Sequence, residues 1–244
     1  MIKIKTVHTS RTIMFSEFEK VMDYSAEGNS FFEALKDNVI GKKSSSGIEK
    51  TTNYLKQLYG FNMEDDAFRT IKYFWSLVET SEKSLLAFII AIRNDELLFE
   101  SIPVVSKTEI GTKAAIESFE QNIESFHPAR YSPKTRKSLA QNIASSWKQA
   151  GFIEGKVKNI RVVPKISPKI AAFAFLMAYL DGARGEFIWS HKCIKALCYS
   201  EQKLRELAME CVKMDLIQYQ HAGNVTTFSF NSLITKIGID GIQD

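Results

Sequence analysis

Apolar residues recur every three to four positions along the first 150 residues, the spacing that gathers them on one face of a helix. Phe15, Phe18, Val21 and Met22 form a first stripe; Phe32, Leu35 and Val39 form a second, with Asn29 placed to cap its start. A loop rich in lysine and serine, residues 41–47, leads into a third stripe of Ile48, Thr52, Leu55 and Leu58 or Tyr59. Glu64, Asp65 and Asp66 open a further helix, where carboxylates suit the positive end of the dipole, and its inner face reads Ala67, Ile71, Phe74, Trp75 and Val78. Residues 81–99 are apolar on most sides, as a buried central helix would be, and Pro103 closes that region. Residues 110–126 give one more amphipathic helix. Six or so helices with short joins predict a helical domain over residues 1–127.

The texture changes after Pro128. Ser132-Pro133 reads as a cap followed by proline in the first turn, where its missing N–H does no harm. Leu139, Ile143, Trp147 and Ala150 then make one apolar stripe, and Gly151 ends it. Residues 152–164 alternate well enough for a short hairpin turning near Gly155 or Asn159. Residues 128–165 therefore read as a basic helix plus hairpin, the second half of a winged helix. Ser167-Pro168 opens the pattern again, with a helix over 170–180, a glycine turn and a short helix over 189–197. Ser200 caps a last helix with Leu204, Leu207, Ala208, Cys211 and Met214 inward. Two strand-like runs follow, residues 216–220 and 225–230, joined through Ala222, Gly223 and Asn224. Residues 166–244 thus predict a complete winged helix-turn-helix. The fold class is mainly α: a helical N-terminal domain followed by winged helix-turn-helix units with short β-hairpin wings.

Composition adds limits. The 244 residues are 45% hydrophobic and 25% charged, which fits globular domains and excludes a disordered tail protein. Cys193, Cys198 and Cys211 form no CxxC pair, so a reducing, cytoplasmic setting without disulfides is expected. The start of the chain has no signal-like apolar core, and the longest apolar runs, 85–92 and 170–180, fall short of the ~20 residues that cross a bilayer. No membrane association is expected.

Charge changes the picture more. Residues 127–169 carry ten Lys/Arg against the single acid Glu154, a local +9 in a chain whose total is +4. Like charges crowded together repel, so an anionic partner is implied, and a nucleic-acid backbone fits best. With Leu139, Ile143 and Trp147 inward, Lys134, Arg136, Lys137, Ser138, Gln141, Asn142, Ser145, Lys148 and Gln149 face outward, with no acid among them. Arg130, Lys134, Arg136, Lys137 and Lys148 are candidate phosphate anchors, joined by Lys156, Lys158 and Arg161 from the hairpin. Gln141 and Asn142 are the candidates for base edges. The downstream helix offers Gln202, Lys203 and Arg205, but mixes them with Glu201, Glu206 and Glu210, a face equally suited to a protein partner.

Other chemistry finds little support. Gly41-Lys42 lacks the upstream glycine of a phosphate-binding loop, since Lys36 stands there. His191, Cys193, Cys198 and His221 match no usual zinc spacing, and the thiols suit helix interiors better. Neither a nuclease-type acid set, a serine elbow, a dinucleotide glycine set nor a helical HExxH occurs, so neither catalysis nor a cofactor is expected.

Leu85-Leu86-Ala87-Phe88-Ile89-Ile90-Ala91-Ile92 and Leu97-Leu98-Phe99 precede Tyr131-Ser132-Pro133-Lys134-Thr135-Arg136-Lys137-Ser138-Leu139 and Ala150-Gly151-Phe152-Ile153. This order resembles the BrxA family, small helical components of BREX bacteriophage-defence systems. Tyr131 stands where that family has tryptophan, and Ser138 where it has lysine. The resemblance spans residues 15–163. It implies a cytoplasmic bacterial protein that binds double-stranded DNA through helix-turn-helix elements and works beside other defence-system proteins without catalysis of its own. The rival expectations are a winged-helix protein-interaction module and an RNA-binding or transcriptional regulator.

Overall fold

Helix starts follow the capping residues. The computed structural model describes residues 4–26, 30–223 and 225–239. Helices α1 (Phe15–Ala26), α2 (Phe31–Lys36) and α3 (Ser45–Tyr59) come first. Ser30 caps α2 in a reciprocal box with Glu33, and Ser44 caps α3 through the Gly47 amide. Asn29, the expected cap, lies outside the described residues. With the helix set by Ser30, Phe31, Ala34 and Leu35 turn inward, while Phe32 is 72% exposed.

Then follow α4 (Asp66–Leu77), a 3₁₀ turn (Thr80–Glu82), α5 (Lys83–Asn94), α6 (Glu96–Glu100) and α7 (Ile102–Lys107). The single helix expected over 81–99 is thus broken at Asp95, whose carboxylate accepts the Leu98 amide and starts α6. Pro103 sits in the first turn of α7 rather than closing the region, because a first-turn N–H has no helical partner to lose.

Next come α8 (Ile116–Phe126), α9 (Pro133–Gln149), β1 (Ile153–Glu154) and β2 (Ile160–Arg161). Helix α8 begins six residues later than its amphipathic pattern suggested. Residues 111–114 are extended instead and pair with β2: Arg161 N donates to Thr112 O, and the Gly111 and Ala114 amides donate to Arg161 O and Asn159 O. The chain closes with α10 (Pro168–Leu180), a 3₁₀ segment (Gly185–Ser190), α11 (Lys192–Lys195), α12 (Glu201–Lys213), β3 (Gln218–Ala222), β4 (Val225–Ser229) and α13 (Asn231–Ile237). The protein is mainly helical, with two small antiparallel hairpins, β1–β2 and β3–β4.

These elements gather into two units. The first holds the described residues up to Phe61 together with Lys83–Pro164; the second holds Asn62–Glu82 and the described residues from Lys165 on. The partition differs from the division at 127 and 165 expected from sequence. Helix α9 and its hairpin share a core with the N-terminal helices, and α4 belongs with the C-terminal elements.

In the first unit α5 is buried on every side from Leu85 to Ile92, between α1, α3, α6 and α9. Phe18 stacks on Tyr59 at 3.7 Å, and Phe88, Trp147 and Phe152 make an edge-on cluster with Trp147 centroid distances of 4.6 and 5.1 Å. In the second unit α10 fills the centre against α4, α11 and α12, buried from Ile170 to Tyr179. Phe173 meets Phe74, Phe175 meets Trp189 and Phe228, and Tyr179 meets Phe230. Met214, expected inside, is 49% exposed, since α12 ends at Lys213. None of the helices among the described residues is long and apolar enough to cross a membrane. The apolar run at 170–180 is a core helix.

Candidate nucleic-acid interface

Ser132 caps α9 by accepting the Thr135 amide, and Pro133 fits the first turn, so the helix starts with Lys134, Arg136 and Lys137 beside its positive end. Leu139, Ala140, Ile143, Ala144, Ser146 and Trp147 are buried, and Gly151, at φ +81°, ends the helix in a backbone conformation that suits glycine. At 100° per residue, the opposite side carries Lys134, Lys137, Ser138, Gln141, Ser145 and Lys148. Lys134, Lys137, Ser138 and Gln141 are exposed; Ser145 and Lys148 are half-buried. Lys156 and Lys158 are exposed in the hairpin loop around Val157, which is itself 82% exposed. Arg130 lies 5.9 Å from the Tyr131 ring just before the helix.

The expected face is narrower in space than in sequence. Arg136 turns to α8 and pairs with Glu124 Oε2. The Ala129 amide, and then Arg136, hold the Glu124 carboxyl below the ordinary range, so this acid staples the α8–α9 turn. Glu117, Glu120, Gln121 and Glu124 line a groove of about 270 Å³ with Arg136, so the basic face, acid-free within its own helix, is bordered by acids of the neighbouring one.

Asn142 is likewise taken: its Nδ2 donates to His8 O at 2.8 Å. Gln149 Oε1 accepts the Phe15 amide, and Ser146 Oγ accepts the Ile13 amide. Asn142 and Gln149, expected to face outward, join Ser146 in fastening the N-terminal segment along one edge of α9.

Arg161 is a correction of a different kind. It is 3% exposed, its Nε and Nη1 donate to Val105 O and Phe152 O at 3.1 Å each, and it stacks 5.3 Å from the Phe152 ring. Because residues 111–114 cover β2, the guanidinium turns into the unit and ties the hairpin to α7, out of reach of a phosphate. Arg161→Met, which removes one donor from each of two carbonyls that keep the Thr108 and Val162 amides, is expected to cost about 1–2 kcal/mol in urea unfolding while leaving the salt dependence of any nucleic-acid binding unchanged.

In the second unit Arg205 is committed as well. Its Nη2 pairs with Glu186 and Glu201 at 2.9 and 2.7 Å, and its Nη1 lies 3.0 to 3.3 Å from His221 Nδ1, Tyr219 OH and Thr226 Oγ1. The group stacks 4.8 Å from the Trp189 ring and locks the start of α12 to the β3–β4 hairpin. Lys203 pairs with Glu206, and Gln202 is exposed. An open groove of about 530 Å³ runs along Gln202, Glu206, Met209, Tyr219 and His221.

Two further side-chain clusters each bring an aspartate against a histidine. Asp95 Oδ2, His8 Nδ1, His8 Nε2 and Ser146 Oγ follow one another at 3.0 and 2.9 Å, the order of a hydrolytic triad. Ser146, however, donates its one proton to Asn142 O and accepts from Ile13 N, so it receives rather than gives a proton at His8. All three side chains are buried, and His8 Nδ1 approaches Asp95 Oδ2 without hydrogen-bond geometry. The set is a structural pin. The second constellation is Asp181, His191 and Cys193, whose ligand atoms lie within 4.8 Å of one another. His191 Nδ1 accepts the Cys193 amide, so a neutral ring carries its proton on Nε2, 3.2 Å from Asp181. A cation on Nε2 would move that proton to Nδ1 and break the cap of α11; the geometry is that of a satisfied cap.

Family models, curated proteins and solved structures contain no match to this chain. Its class therefore rests on its own architecture: a mainly helical protein in two units, the first presenting a basic helix face beside a basic hairpin.

Proposed function

We propose that the protein is a double-stranded-DNA-binding accessory protein without catalysis of its own, of the kind that the BREX resemblance implies. The observation that carries this reading is the exposed row Lys134, Lys137 and Gln141, continued by the half-buried Lys148, beside the exposed Lys156 and Lys158. The first unit holds 21 Lys/Arg against 15 Asp/Glu, and its excess comes from residues 127–164, which hold eight Lys/Arg against the single acid Glu154, so the positive charge is concentrated on α9 and its hairpin. The order of extended 111–114, α8, α9 and hairpin, with 111–114 paired to β2, supports reading this part as a winged helix with α9 as its recognition helix. In this reading the lysines hold phosphates, Gln141 meets base edges, and the loop around Val157 lies along a neighbouring groove.

The test is binding of a random-sequence duplex across a salt series. Lys134→Glu combined with Lys137→Glu is expected to weaken binding at least ~10-fold at low salt and to lower the log–log salt slope by about 2. Wild-type protein that fails to bind duplex even at low salt would sink the reading, and preference for structured RNA of equal length would replace it with the regulator alternative.

A second reading attaches to the other unit. Its 11 Lys/Arg against 13 Asp/Glu, with Met209 and Met214 exposed on and just after α12, favour a protein partner there, such as another component of a defence system. Met209→Glu is then expected to leave duplex binding by the first unit unchanged.

A further inference from the structure

We infer that the turn Thr9-Ser10-Arg11 is a second phosphate-gripping element of the same nucleic-acid surface, and that Asn142 is its positioning residue. The inference rests on the proposed duplex binding by α9 and extends it to a segment more than 120 residues away in sequence. The turn is tight: the Ser10 and Arg11 amides both donate to Val7 O, at 3.0 and 2.9 Å. Thr9, Ser10 and Arg11 are exposed, while Val7 and His8 just before them are fully buried.

What fixes the turn is out of proportion to a surface loop. His8 O accepts Asn142 Nδ2, His8 Nε2 lies 2.9 Å from Ser146 Oγ, and the Ile13 amide donates to the same hydroxyl. From the other side Asp95 holds the Val7 amide at 2.7 Å, the Thr6 hydroxyl at 3.0 Å and the His8 ring at 3.0 Å. The turn is therefore clamped between α9 and the start of α6, one residue on from the His8 carbonyl that Asn142 holds. Two exposed hydroxyls and a guanidinium, presented together by a turn whose own amides are spent on Val7 O, are groups that hold a phosphodiester in place without reading sequence. Arg11 Nη1 donates to Ser10 O, and its guanidinium stands 5.8 Å from the Tyr54 ring, an arrangement that orients the group while leaving it exposed.

A rigid donor set beside the recognition helix adds binding without the entropy of ordering a flexible arm. Asn142, the strongest sequence candidate for a base contact, serves the surface by holding that set.

The experiment is duplex titration over a salt series with the full chain and three variants: Arg11→Glu, Asn142→Ala and Lys36→Glu, the last an exposed charge reversal on α2. Arg11→Glu is expected to weaken binding about 5- to 10-fold at low salt and to lower the salt slope by about 1, the signature of one lost phosphate contact. Asn142→Ala, which changes no charge, is expected to weaken binding 2- to 5-fold at a temperature well below its own thermal midpoint, while keeping the wild-type salt slope. An Arg11→Glu protein equal to wild type, alongside weakening by Lys134→Glu and Lys137→Glu, overturns the inference and leaves duplex binding by α9 intact. Equal weakening by Lys36→Glu also overturns it, since the effect would then be one of net charge. Absence of wild-type binding overturns both readings together.

Discussion

Asp95→Ala is expected to remove about 3–5 kcal/mol from the stability of the first unit, the cost of leaving three donors and the buried His8 ring without the carboxylate they face. The carboxylate accepts from Val7 N, Leu98 N and Thr6 Oγ1 and faces His8, and both side chains are fully sealed from solvent. Truncation therefore strands a buried ring, uncaps α6 and frees the N-terminal segment at once. Asp95→Asn, which keeps shape and loses charge, is expected to fall between. Chemical unfolding at neutral pH measures both; a loss below about 1 kcal/mol for the alanine variant would show that the pin contributes little.

The same group sets an acid limit. Burial pushes the Asp95 carboxyl up, but the His8 ring and the Val7 and Leu98 amides outweigh it and hold the carboxyl below its ordinary value. A depressed carboxylate contributes stability that is fully present above the unfolded value, near pH 4, and is lost as pH falls through the folded one. Wild-type stability should thus decline below about pH 4 more steeply than that of Asp95→Asn, which has no proton to take up there.

Trp147→Ala is the second large effect, also about 3–5 kcal/mol. The indole is fully buried, meets the Phe88 and Phe152 rings at 4.6 and 5.1 Å, and donates Nε1–H to Ser101 Oγ at 2.7 Å. Its removal opens a cavity between α5, α9 and the root of the hairpin, and leaves the Ser101 hydroxyl without its donor. Trp147→Phe retains most of the ring contact and is expected to cost about 1–2 kcal/mol. Both values follow from denaturant midpoints. Similar losses for the two variants would place the stabilisation in the N–H bond rather than in the ring.

Helix existence was legible from apolar spacing nearly throughout, because burial of a stripe is a local demand. What escaped was whatever depended on a distant partner. Residues 110–115 contain enough apolar positions to pass for a helix start, yet residues 111–114 obey β2, more than 40 residues on. Arg161 looked outward in an alternating run, but two carbonyls from other elements draw it inside. Asn142 and Gln149 looked like solvent-facing polar residues, and nothing near them in sequence announces that residues 8–15 will claim them. The candidate interface was legible in sign and approximate place. Which cations are already engaged was not, since Glu124 and Arg136 belong to different helices.

Helix α4 leaves the ribosome about a hundred residues, some 5–20 seconds of synthesis, before α10 exists to cover Ile71, Phe74 and Trp75. During that interval the nascent chain carries an unburied aromatic face in the middle of a unit otherwise able to begin folding. The same arrangement dictates how the molecule can be cut. A fragment starting at Lys165 lacks α4 and exposes the Phe173 side of its central helix. A separable second unit therefore needs residues 62–82 joined to it, as in a circular permutant.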